Sequence, residues 1–299
     1  MARKRDIVIA VIIIISFIFG FGFLSLVFFG ALSGDSEVSL GGFGDKIAVI
    51  EIYGAVYDSA DIIKQLKKWG DNDNVKAIIL HIDSPGGAAA PFQEVYQEIK
   101  KIREDKGKIV VASCLSMAAS GGYMAACGCD AIMANPGAIV GSIGVIMQFM
   151  NAEKLLKTIG LSYETVKSGE LKDVGSRDRP MTEKERKMLT SMVMDTYEQF
   201  VDIVAEGRHM SKEDIYPLAD GSIFSGRQAY ELGLVDTLGT FEDAVQYTAD
   251  LVGIQGEPNL VKVVKPKPGF FDFIGSFMSK LHDLTSGAYS QGPRVLYLY

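Results

Sequence analysis

The feature that most constrains the fold of this chain is a regular alternation of short apolar runs with longer amphipathic stretches, which begins at residue 46. The apolar runs have the length and β-branched content of buried strands, and they cover residues 46–52, 75–82, 108–114, 131–134 and 139–147. Helical periodicity covers residues 59–69, 92–104, 120–127, 182–206, 211–219, 225–232 and 241–251. Because strands that are separated by helices run parallel, the sequence predicts one α/β domain over residues 45–253, with a mainly parallel sheet.

An uncharged apolar segment precedes this domain. Residues 7–32 contain no charged side chain, and about 20 apolar residues are enough for a helix to span a bilayer. Because Arg3, Lys4 and Arg5 precede the segment, residues 1–6 are expected to stay in the cytoplasm. We therefore expect a single-pass anchor in the cell membrane, a Ser/Gly-rich linker at residues 33–44, and the folded domain on the extracytoplasmic side. The alternative is a cleaved signal peptide with a weak cleavage site at residues 31–33, although the apolar core of such peptides is usually only about 7–15 residues long.

A serine among small residues follows the third predicted strand. Residues 118–123 read Ala-Ala-Ser-Gly-Gly-Tyr, so that Ser120 lies where the strand turns into a helix. Glycines at such a turn let the backbone approach a substrate closely. This arrangement is typical of a serine nucleophile, but a serine hydroxyl needs a base to activate it.

The usual base is histidine, and this chain has only three. His81 lies inside an apolar run, His209 at the end of a charged helix and His282 in an amphipathic C-terminal stretch, and none is an obvious triad member. The alternative is a lysine that burial keeps neutral, so that it accepts the serine proton. Pairs of serine and lysine are a known variant of the catalytic triad.

Two further glycine motifs follow strand-like runs. Residues 83–87 read Asp-Ser-Pro-Gly-Gly, and residues 141–144 read Gly-Ser-Ile-Gly. In parallel sheets, ligand sites gather beyond the carboxyl ends of the strands, and the N–H groups of a glycine turn can form an oxyanion hole. Taken alone, Ser-Pro-Gly-Gly is better explained as a plain turn. Three small-residue loops after successive strands, one of which bears a serine, favour a functional site instead. Phosphate binding is not indicated, because the chain has neither a Walker motif nor Gly-x-Gly-x-x-Gly.

Charge and cysteine content exclude other classes of partner. The formal net charge is −7 and there is no basic stripe with interleaved aromatic residues, which argues against nucleic acid. Cys127 and Cys129 resemble half of a metal site, but no second cluster of Cys or His completes it. With Cys114 the count is odd, and all three are expected to be small buried residues. We therefore predict no metal and no cofactor.

Four segments in order give the chain a family resemblance. They are residues 83–87, 118–123, 141–145 (Gly-Ser-Ile-Gly-Val) and 167–173 (Lys-Ser-Gly-Glu-Leu-Lys-Asp), and residues 220–229 match as well. Together they resemble signal peptide peptidase A, in the short single-domain form of this membrane-anchored serine protease family. The resemblance implies a fold like that of the Clp protease and crotonase group, a spiral of β-α-β units.

The resemblance also implies roles for particular residues. Ser120 matches the nucleophile and Lys172 the general base. Lys167 belongs to the same motif, and the residues alone do not choose between the two lysines. The N–H groups of Gly87 and Gly121 match the oxyanion hole, and Ser142 matches a hydroxyl that helps to hold the lysine amine.

The implied function is a membrane-bound serine endopeptidase that degrades remnant signal peptides after preprotein processing. Its partners are then the membrane, extended apolar peptides and further copies of itself, in an octamer-like ring where Ser and Lys can come from neighbouring subunits. The alternatives are a related protease that cleaves a membrane partner protein, a crotonase-like enzyme acting on acyl-coenzyme A, and an inactive scaffold.

Residues 254–299 form a C-terminal extension of two parts. Residues 269–284 have an amphipathic pattern, which suits a helix on the membrane surface or a cap on the assembly. Residues 294–299 are apolar and strand-like. One hypothesis is that they dock in an active-site groove by strand addition and inhibit the enzyme. The alternatives are a disordered tail and a packed terminal strand.

Overall fold

The computed structural model describes residues 17, 20–22, 36–40, 45–264 and 296–298. Its strands are β1 (Ser36–Leu40), β2 (Lys46–Tyr53), β3 (Val75–Ser84), β4 (Gly86–Ala88), β5 (Ile109–Ala119), β6 (Ala131–Ala134), β7 (Ile139–Gly141), β8 (Ile223–Ser225), β9 (Thr237–Leu238), β10 (Asn259–Val264) and β11 (Leu296–Leu298). Its helices are α1 (Ala60–Gly70), α2 (Ala89–Lys106), α3 (Gly121–Cys127), α4 (Glu153–Thr158), α5 (Glu183–Arg208), α6 (Lys212–Ile215), α7 (Gly226–Glu231) and α8 (Phe241–Leu251), with a 3-10 turn at Tyr216–Leu218. The predicted alternation of strands and helices is therefore confirmed.

The predicted membrane anchor at residues 7–32 lies outside the described residues, except for residues 17 and 20–22, which are helical. Among the residues that are described, no helix combines the length and the apolar character needed to cross a bilayer. The predicted amphipathic stretch at residues 269–284 also lies outside them.

The chain divides into two compact units. The larger comprises Ser39–Lys262 with Ser290–Tyr299, and the smaller comprises Met1–Val38 with Val263–Tyr289. All of the predicted site residues belong to the larger unit.

The described strands form one large sheet and one small one. The large sheet has the strand order β1-β10-β2-β3-β5-β6-β9, and β7 and β8 extend it beside β5. The pairs β10–β2, β2–β3, β3–β5, β5–β6, β5–β7 and β6–β9 are all parallel, whereas β7 and β8 are antiparallel. The sheet is thus mainly parallel, as predicted, and the carboxyl ends of β3, β5 and β7 lie side by side.

The central strands are buried on both faces. In β3, Ala77 to Leu80 are fully buried, and in β5 Val110 to Ala112 are too. Continuous apolar runs of this kind are typical of parallel strands that are covered by helices on both faces. Helices α2 and α3 pack on one part of the sheet, where Phe92 and Tyr123 are among the largest fully buried side chains.

The longest helix begins and ends with recognisable caps. Helix α5 opens with a capping box in which Thr182 and Glu185 bond each other's backbone N–H, as the Thr-Glu-Lys-Glu sequence indicates. It ends at His209, whose left-handed backbone (φ +53°) closes the last turn. The predicted start of this helix is therefore correct to within one residue.

Two predicted strands are wrong in extent. The strand predicted at residues 108–114 continues to Ala119 in β5. The apolar run at residues 139–147 predicts a continuous strand, but β7 ends at Gly141. The backbone there turns through positive φ angles at Gly141 (+98°) and Ser142 (+50°), which lie outside the extended region that a continuous strand of L-residues needs. The early end of β7 brings this turn beside the carboxyl end of β5.

Candidate active site

Ser120 lies in a strained turn between β5 and α3. Its φ of +52° and ψ of −118° are outside the regions that non-glycine residues favour. Its N–H donates to the Gly141 carbonyl at 2.8 Å, and its own carbonyl accepts from the Met124 N–H at 3.0 Å. Neighbouring structure thus holds a backbone conformation that costs about 1–3 kcal/mol, as is common at functional residues.

The Ser120 hydroxyl is buried and unpaired. The residue has 0% exposure, and Oγ has no hydrogen-bond partner among the residues that the structure describes. Leaving such a group unpaired costs about 1–3 kcal/mol. No general base of the described chain therefore contacts the predicted nucleophile.

The two glycines after Ser120 are required by close packing. A Cβ at Gly121 would lie 2.2 Å from the Phe92 ring, and one at Gly122 would lie 3.0 Å from the carbonyl oxygen of Ser84. The first turn of α3 is therefore pressed against α2 and the end of β3. The N–H of Gly121 is the first of the helix, so it has no acceptor within the helix.

Gly87 lies in β4, the short strand between β3 and α2. On one edge of β4, Val56 donates its N–H to the Gly86 carbonyl at 2.9 Å and accepts from the Ala88 N–H at 2.8 Å. Backbone groups alternate along a strand, so the N–H and carbonyl of Gly87 point to the other edge. Only glycine fits here, because φ is +157° and a Cβ would lie 1.9 Å from the Val56 oxygen.

The second edge of β4 pairs with the C-terminal strand. β11 runs antiparallel to β4, with Leu296 opposite Ala88, Tyr297 opposite Gly87 and Leu298 opposite Gly86. This pairing fits both the predicted docking by strand addition and the alternative of a packed terminal strand. The inhibitory effect of this docking stays a prediction.

Ser84 holds the turn that carries Gly87, a role that was not predicted from the sequence. Its buried Oγ donates to the Gly54 carbonyl at 2.7 Å and accepts from the Gly86 N–H at 3.1 Å. The only signal in the sequence is its place in the Asp-Ser-Pro-Gly-Gly motif. This hydroxyl fixes the turn, and it lies on the buried side of the site.

Ser142 lies in the turn after β7. It is 6% exposed, and its N–H donates to the Ser222 carbonyl at 2.8 Å. The preceding Gly141 accepts the hydrogen bond from the Ser120 N–H, so the two serines belong to adjoining backbone segments. The structure therefore brings Ser142 and Gly121 to the same end of the sheet as Ser120.

The two candidate lysines have different surroundings. Lys167 donates to Asp173 Oδ1 at 2.6 Å and to the Glu170 carbonyl at 3.2 Å. Lys172 is exposed, its backbone N–H donates to the Gly169 carbonyl at 3.1 Å, and its amine has no partner among the described residues. Lys167 is thus occupied as a hydrogen-bond donor, whereas Lys172 is available to another group.

His81 and the buried cysteines do not supply a base to Ser120. The Nδ1 of His81 is 2.9 Å from the Tyr53 hydroxyl, and its ring stacks on Phe241. Burial lowers the pKa of His81. Burial also raises the pKa of Cys114 and of Cys127 to about 12, so neither thiol is a thiolate at neutral pH. All three cysteines are buried and reduced, as expected.

Comparisons with known proteins match the segments that carry Ser120 and Lys172. Residues 102–255 match the model of peptidase family S49, and residues 45–138 match that of Clp protease. A candidate protease of Synechocystis is 44% identical over 75% of this chain and 80% of its own length. A candidate protease of Methanocaldococcus jannaschii is 35% identical over 78% of each chain. A candidate signal peptide peptidase of Enterococcus faecium is 40% identical over 63% of this chain and 55% of its own length.

Proposed function

Because the chain belongs to peptidase family S49 and is a serine endopeptidase, we propose that it is a membrane-bound enzyme in which Ser120 and Lys172 form a catalytic dyad. Its substrates are extended apolar peptides, above all the signal-peptide remnants that preprotein processing leaves in the membrane. The observation that carries this proposal is the pairing of an extended strand with the edge of β4, beside the buried hydroxyl of Ser120.

The chemistry is acyl transfer. The neutral amine of Lys172 accepts the proton of Ser120, and Oγ bonds to the carbonyl carbon of the scissile peptide. The N–H groups of Gly87 and Gly121 donate to the oxyanion. The ammonium then gives its proton to the leaving nitrogen as the C–N bond breaks. Finally, water gives a proton to Lys172 and its oxygen bonds to the ester carbon. As the C–Oγ bond breaks and the acid leaves, the ammonium returns that proton to Ser120 Oγ.

The protonation state of Lys172 links this chemistry to the association of several copies of the chain. A free lysine has a pKa of about 10.4, and burial favours its neutral form. Ser120 has no partner and Lys172 is exposed in the described chain. We therefore propose that Lys172 of one copy is buried against Ser120 of the next, with Ser142 helping to hold the amine. The proposed assembly is a closed homo-oligomer such as an octamer-like ring.

An exposed apolar surface supports assembly. It comprises side chains of the segment between β7 and α5, among them Met150 (71% exposed), Leu155 (62%), Tyr163 (67%) and Val166 (102%). No residue of α4 is buried. Several exposed apolar side chains on one segment are typical of a protein–protein interface, and this is the segment that carries Lys172.

A cavity supports the preference for apolar substrates. It has a volume of about 480 Å³ and lies beside β4, between the start of α2 and α5. Its lining is mostly Ala88–Ala90, Pro91 and Tyr57, with Gln93, Thr196 and Gln199 at one side. A peptide that pairs with β4 would present alternate side chains to such a cavity.

The dyad is tested by hydrolysis of a fluorogenic apolar peptide by the full chain. We expect Ser120→Ala and Lys172→Ala each to lose at least about 10³-fold in kcat. Lys154→Ala, another exposed lysine of the same segment, is the matched control and should stay within about twofold. Full activity of either dyad variant refutes the proposed mechanism.

Sharing of the site is tested by mixing. Ser120→Ala and Lys172→Ala subunits are unfolded together and reassembled. If the pair is shared between copies, roughly a quarter of the sites regain both groups; if it lies within one chain, none do. Recovery near zero in a correctly sized assembly refutes sharing.

Substrate and location need separate measurements. A synthetic signal-peptide remnant and a folded single-pass membrane protein, both in lipid vesicles, are offered in competition. Faster loss of the remnant supports the proposal, whereas faster loss of the intact protein supports the alternative protease.

Retention of the full chain in membranes after carbonate extraction tests the proposed anchor.

A further inference from the structure

The turn that carries Lys172 is tied to helix α5 by a cluster of charged side chains that the proposed mechanism does not use. We call Lys167, Asp173, Arg179 and Glu185 the ion-pair clamp. Asp173 directly follows Lys172, and Glu185 lies in the first turn of α5. The cluster therefore connects a surface turn to the longest helix of the domain.

Arg179 is the bridge within the clamp. Its Nε donates to Asp173 Oδ2 at 3.1 Å, and its Nη1 donates to Glu185 Oε2 at 3.0 Å. Its Nη2 forms a second contact with Glu185 Oε1. The guanidinium thus reaches two carboxylates at once, which is a geometry that its planar fork allows and a lysine amine does not.

Glu185 is the fixed end of the clamp. Its side chain is 1% exposed, and its Oε2 also accepts from the Thr182 N–H at 2.7 Å in the capping box. The Arg179 guanidinium is the main reason that the pKa of Glu185 falls to about 2, and it holds the pKa of Asp173 well below its usual range. A buried carboxylate that loses its partner is strongly destabilised, so this end has little freedom to move.

Asp173 is the end that reaches the catalytic turn. Lys167 donates to Asp173 Oδ1 at 2.6 Å, while Arg179 holds Oδ2. Both oxygens are engaged, and the side chain is only 14% exposed. The backbone next to Lys172 is therefore fixed from two sides, although the Lys172 amine itself is free among the described residues.

We propose that Arg179 is a positioning residue for the reaction, which holds the Lys172 turn against the first turn of α5 so that the amine is presented in one place. The inference rests on the proposed role of Lys172 as the base. Arg179 acts through Asp173 and contacts neither substrate nor Ser120. A displacement of about 1 Å at a catalytic group costs on the order of 10²-fold in rate, which is the size of effect that such a clamp controls.

The structure also offers a matched control. Lys184 and Glu170 form a second ion pair between the same turn and the same helix, but their side chains are 60% and 61% exposed. Exposed pairs contribute only about 0–1 kcal/mol. Lys184→Gln therefore removes a helix cation that pairs with the same turn, without removing the bridge.

The test uses the full chain in its assembled form and compares Arg179→Ala, Arg179→Lys and Lys184→Gln in peptide hydrolysis. We expect Arg179→Ala to lower kcat by roughly 10-fold to 100-fold with little change in KM, and Lys184→Gln to stay within about twofold. Arg179→Lys, which keeps the charge but not the fork, should be intermediate. Added guanidinium ion should restore part of the kcat of Arg179→Ala, but not of Lys172→Ala.

The pH profile separates positioning from a general loss of structure. Without Arg179, the carboxylates of Asp173 and Glu185 lose the guanidinium that they share. Lys167 still pairs with Asp173 and Lys184 with Glu170, and Arg186 lines the same pocket as Glu185, but none of them bridges the two carboxylates. The loss of the guanidinium charge favours a charged amine on Lys172, so the acidic limb of kcat/KM should move to higher pH. A merely unstable enzyme would lose activity at every pH without such a shift.

Two results for Arg179→Ala would overturn the inference. One is a kcat for Arg179→Ala equal to that of Lys184→Gln. The other is a loss without guanidinium rescue and without a shifted limb. If Arg179→Ala does not fold, Arg179→Lys decides: a folded variant with wild-type kcat overturns the inference, and a folded variant with lowered kcat supports it. Wild-type kcat in Lys172→Ala would instead refute the dyad, whatever Arg179 does.

Discussion

Ser120 lies at the start of a helix whose residues are all buried, whereas Lys172 lies in an exposed turn that ion pairs hold against α5. Around Ser120, the glycines leave no room for a Cβ, and van der Waals contact fixes the backbone. Around Lys172 there is open space, and charge fixes the backbone instead. The two halves of the proposed dyad are thus held by different forces.

This difference fits a site that is shared between copies. A nucleophile that needs a strained backbone benefits from the dense packing of a domain core. A base that has to meet the hydroxyl of a neighbouring chain must remain at the surface, where packing cannot hold it before assembly. Ion pairs can hold an exposed turn in place, but they depend on pH and salt, and packing does not.

We call the tightly packed backbone around Ser120 the packed half, and the turn around Lys172 the charged half. The largest expected effect comes from adding a Cβ atom to the packed half. In Gly121→Ala, the new Cβ would lie 2.2 Å from the Phe92 ring. Because the ring belongs to the buried face of α2, we expect a loss of about 3 kcal/mol in the free energy of unfolding, together with loss of peptide hydrolysis. Denaturant unfolding monitored by circular dichroism measures the first.

The matched control is a glycine in the charged half, the turn around Lys172. A Cβ added at Gly169, in the turn before Lys172, would have no described atom within 4 Å, and the φ of Gly169 is not positive. Gly169→Ala should therefore change the free energy of unfolding by less than about 0.5 kcal/mol. Equal losses in the two variants would contradict the contrast between a packed and an open half.

Lowering the pH should destabilise the charged half, the turn around Lys172, before it affects the packed half around Ser120. The Arg179 guanidinium depresses the pKa of Asp173 and of Glu185 in the folded chain. Such carboxylates contribute stability above their unfolded pKa, near 4, and that contribution is lost as pH falls toward their folded values. Between about pH 5 and pH 2, residues 167–173 should lose hydrogen-exchange protection before residues 119–127. Simultaneous loss in both segments would show that the clamp is not a separate unit.

Removing the C-terminal strand β11 should open the edge of β4 to substrate without changing the packing around Ser120. Deletion of residues 296–299 frees the edge of β4 that pairs with β11. If the tail competes with substrate, its deletion should raise kcat/KM for a short peptide by roughly threefold to tenfold. The rise equals the inverse of the fraction of sites that are free of the tail in the full-length chain. Tyr297→Pro, which removes the N–H opposite Gly87, should give a similar rise at full length. No rise in either variant would sink the inhibitory hypothesis.

Local sequence patterns predicted the packed half of the molecule well. The run at residues 75–82 indicated β3, because a parallel strand that is covered on both faces is apolar throughout. The small residues around Ser120 indicated a close approach of backbones, and the structure shows that approach at Gly121 and Gly122. Outside the packed half, the capping box at Thr182 also marked the start of α5.

Features that depend on distant partners were not predictable. The end of β7 at Gly141 depends on the positive φ angles of the following turn and on contact with Phe224. Strand β4 is only three residues long and contains two glycines, so it has no strand pattern of its own. The bridge from Asp173 through Arg179 to Glu185 joins charges that, in the sequence, look like ordinary solvated residues.

The smallest expected effect concerns a single hydroxyl in each half. The buried Tyr123 hydroxyl donates to the Leu234 carbonyl at 2.7 Å, and burial raises its pKa well above the usual value. Tyr123→Phe leaves that carbonyl without this donor, so we expect a loss of about 1–2 kcal/mol in the free energy of unfolding. Tyr163, 67% exposed in the segment before Lys172, is the matched residue, and Tyr163→Phe should cost less than about 0.5 kcal/mol. Because each variant removes one oxygen atom, a difference between their denaturant midpoints at equal slope measures what the buried hydrogen bond of Tyr123 contributes, and equal midpoints would show that it contributes nothing.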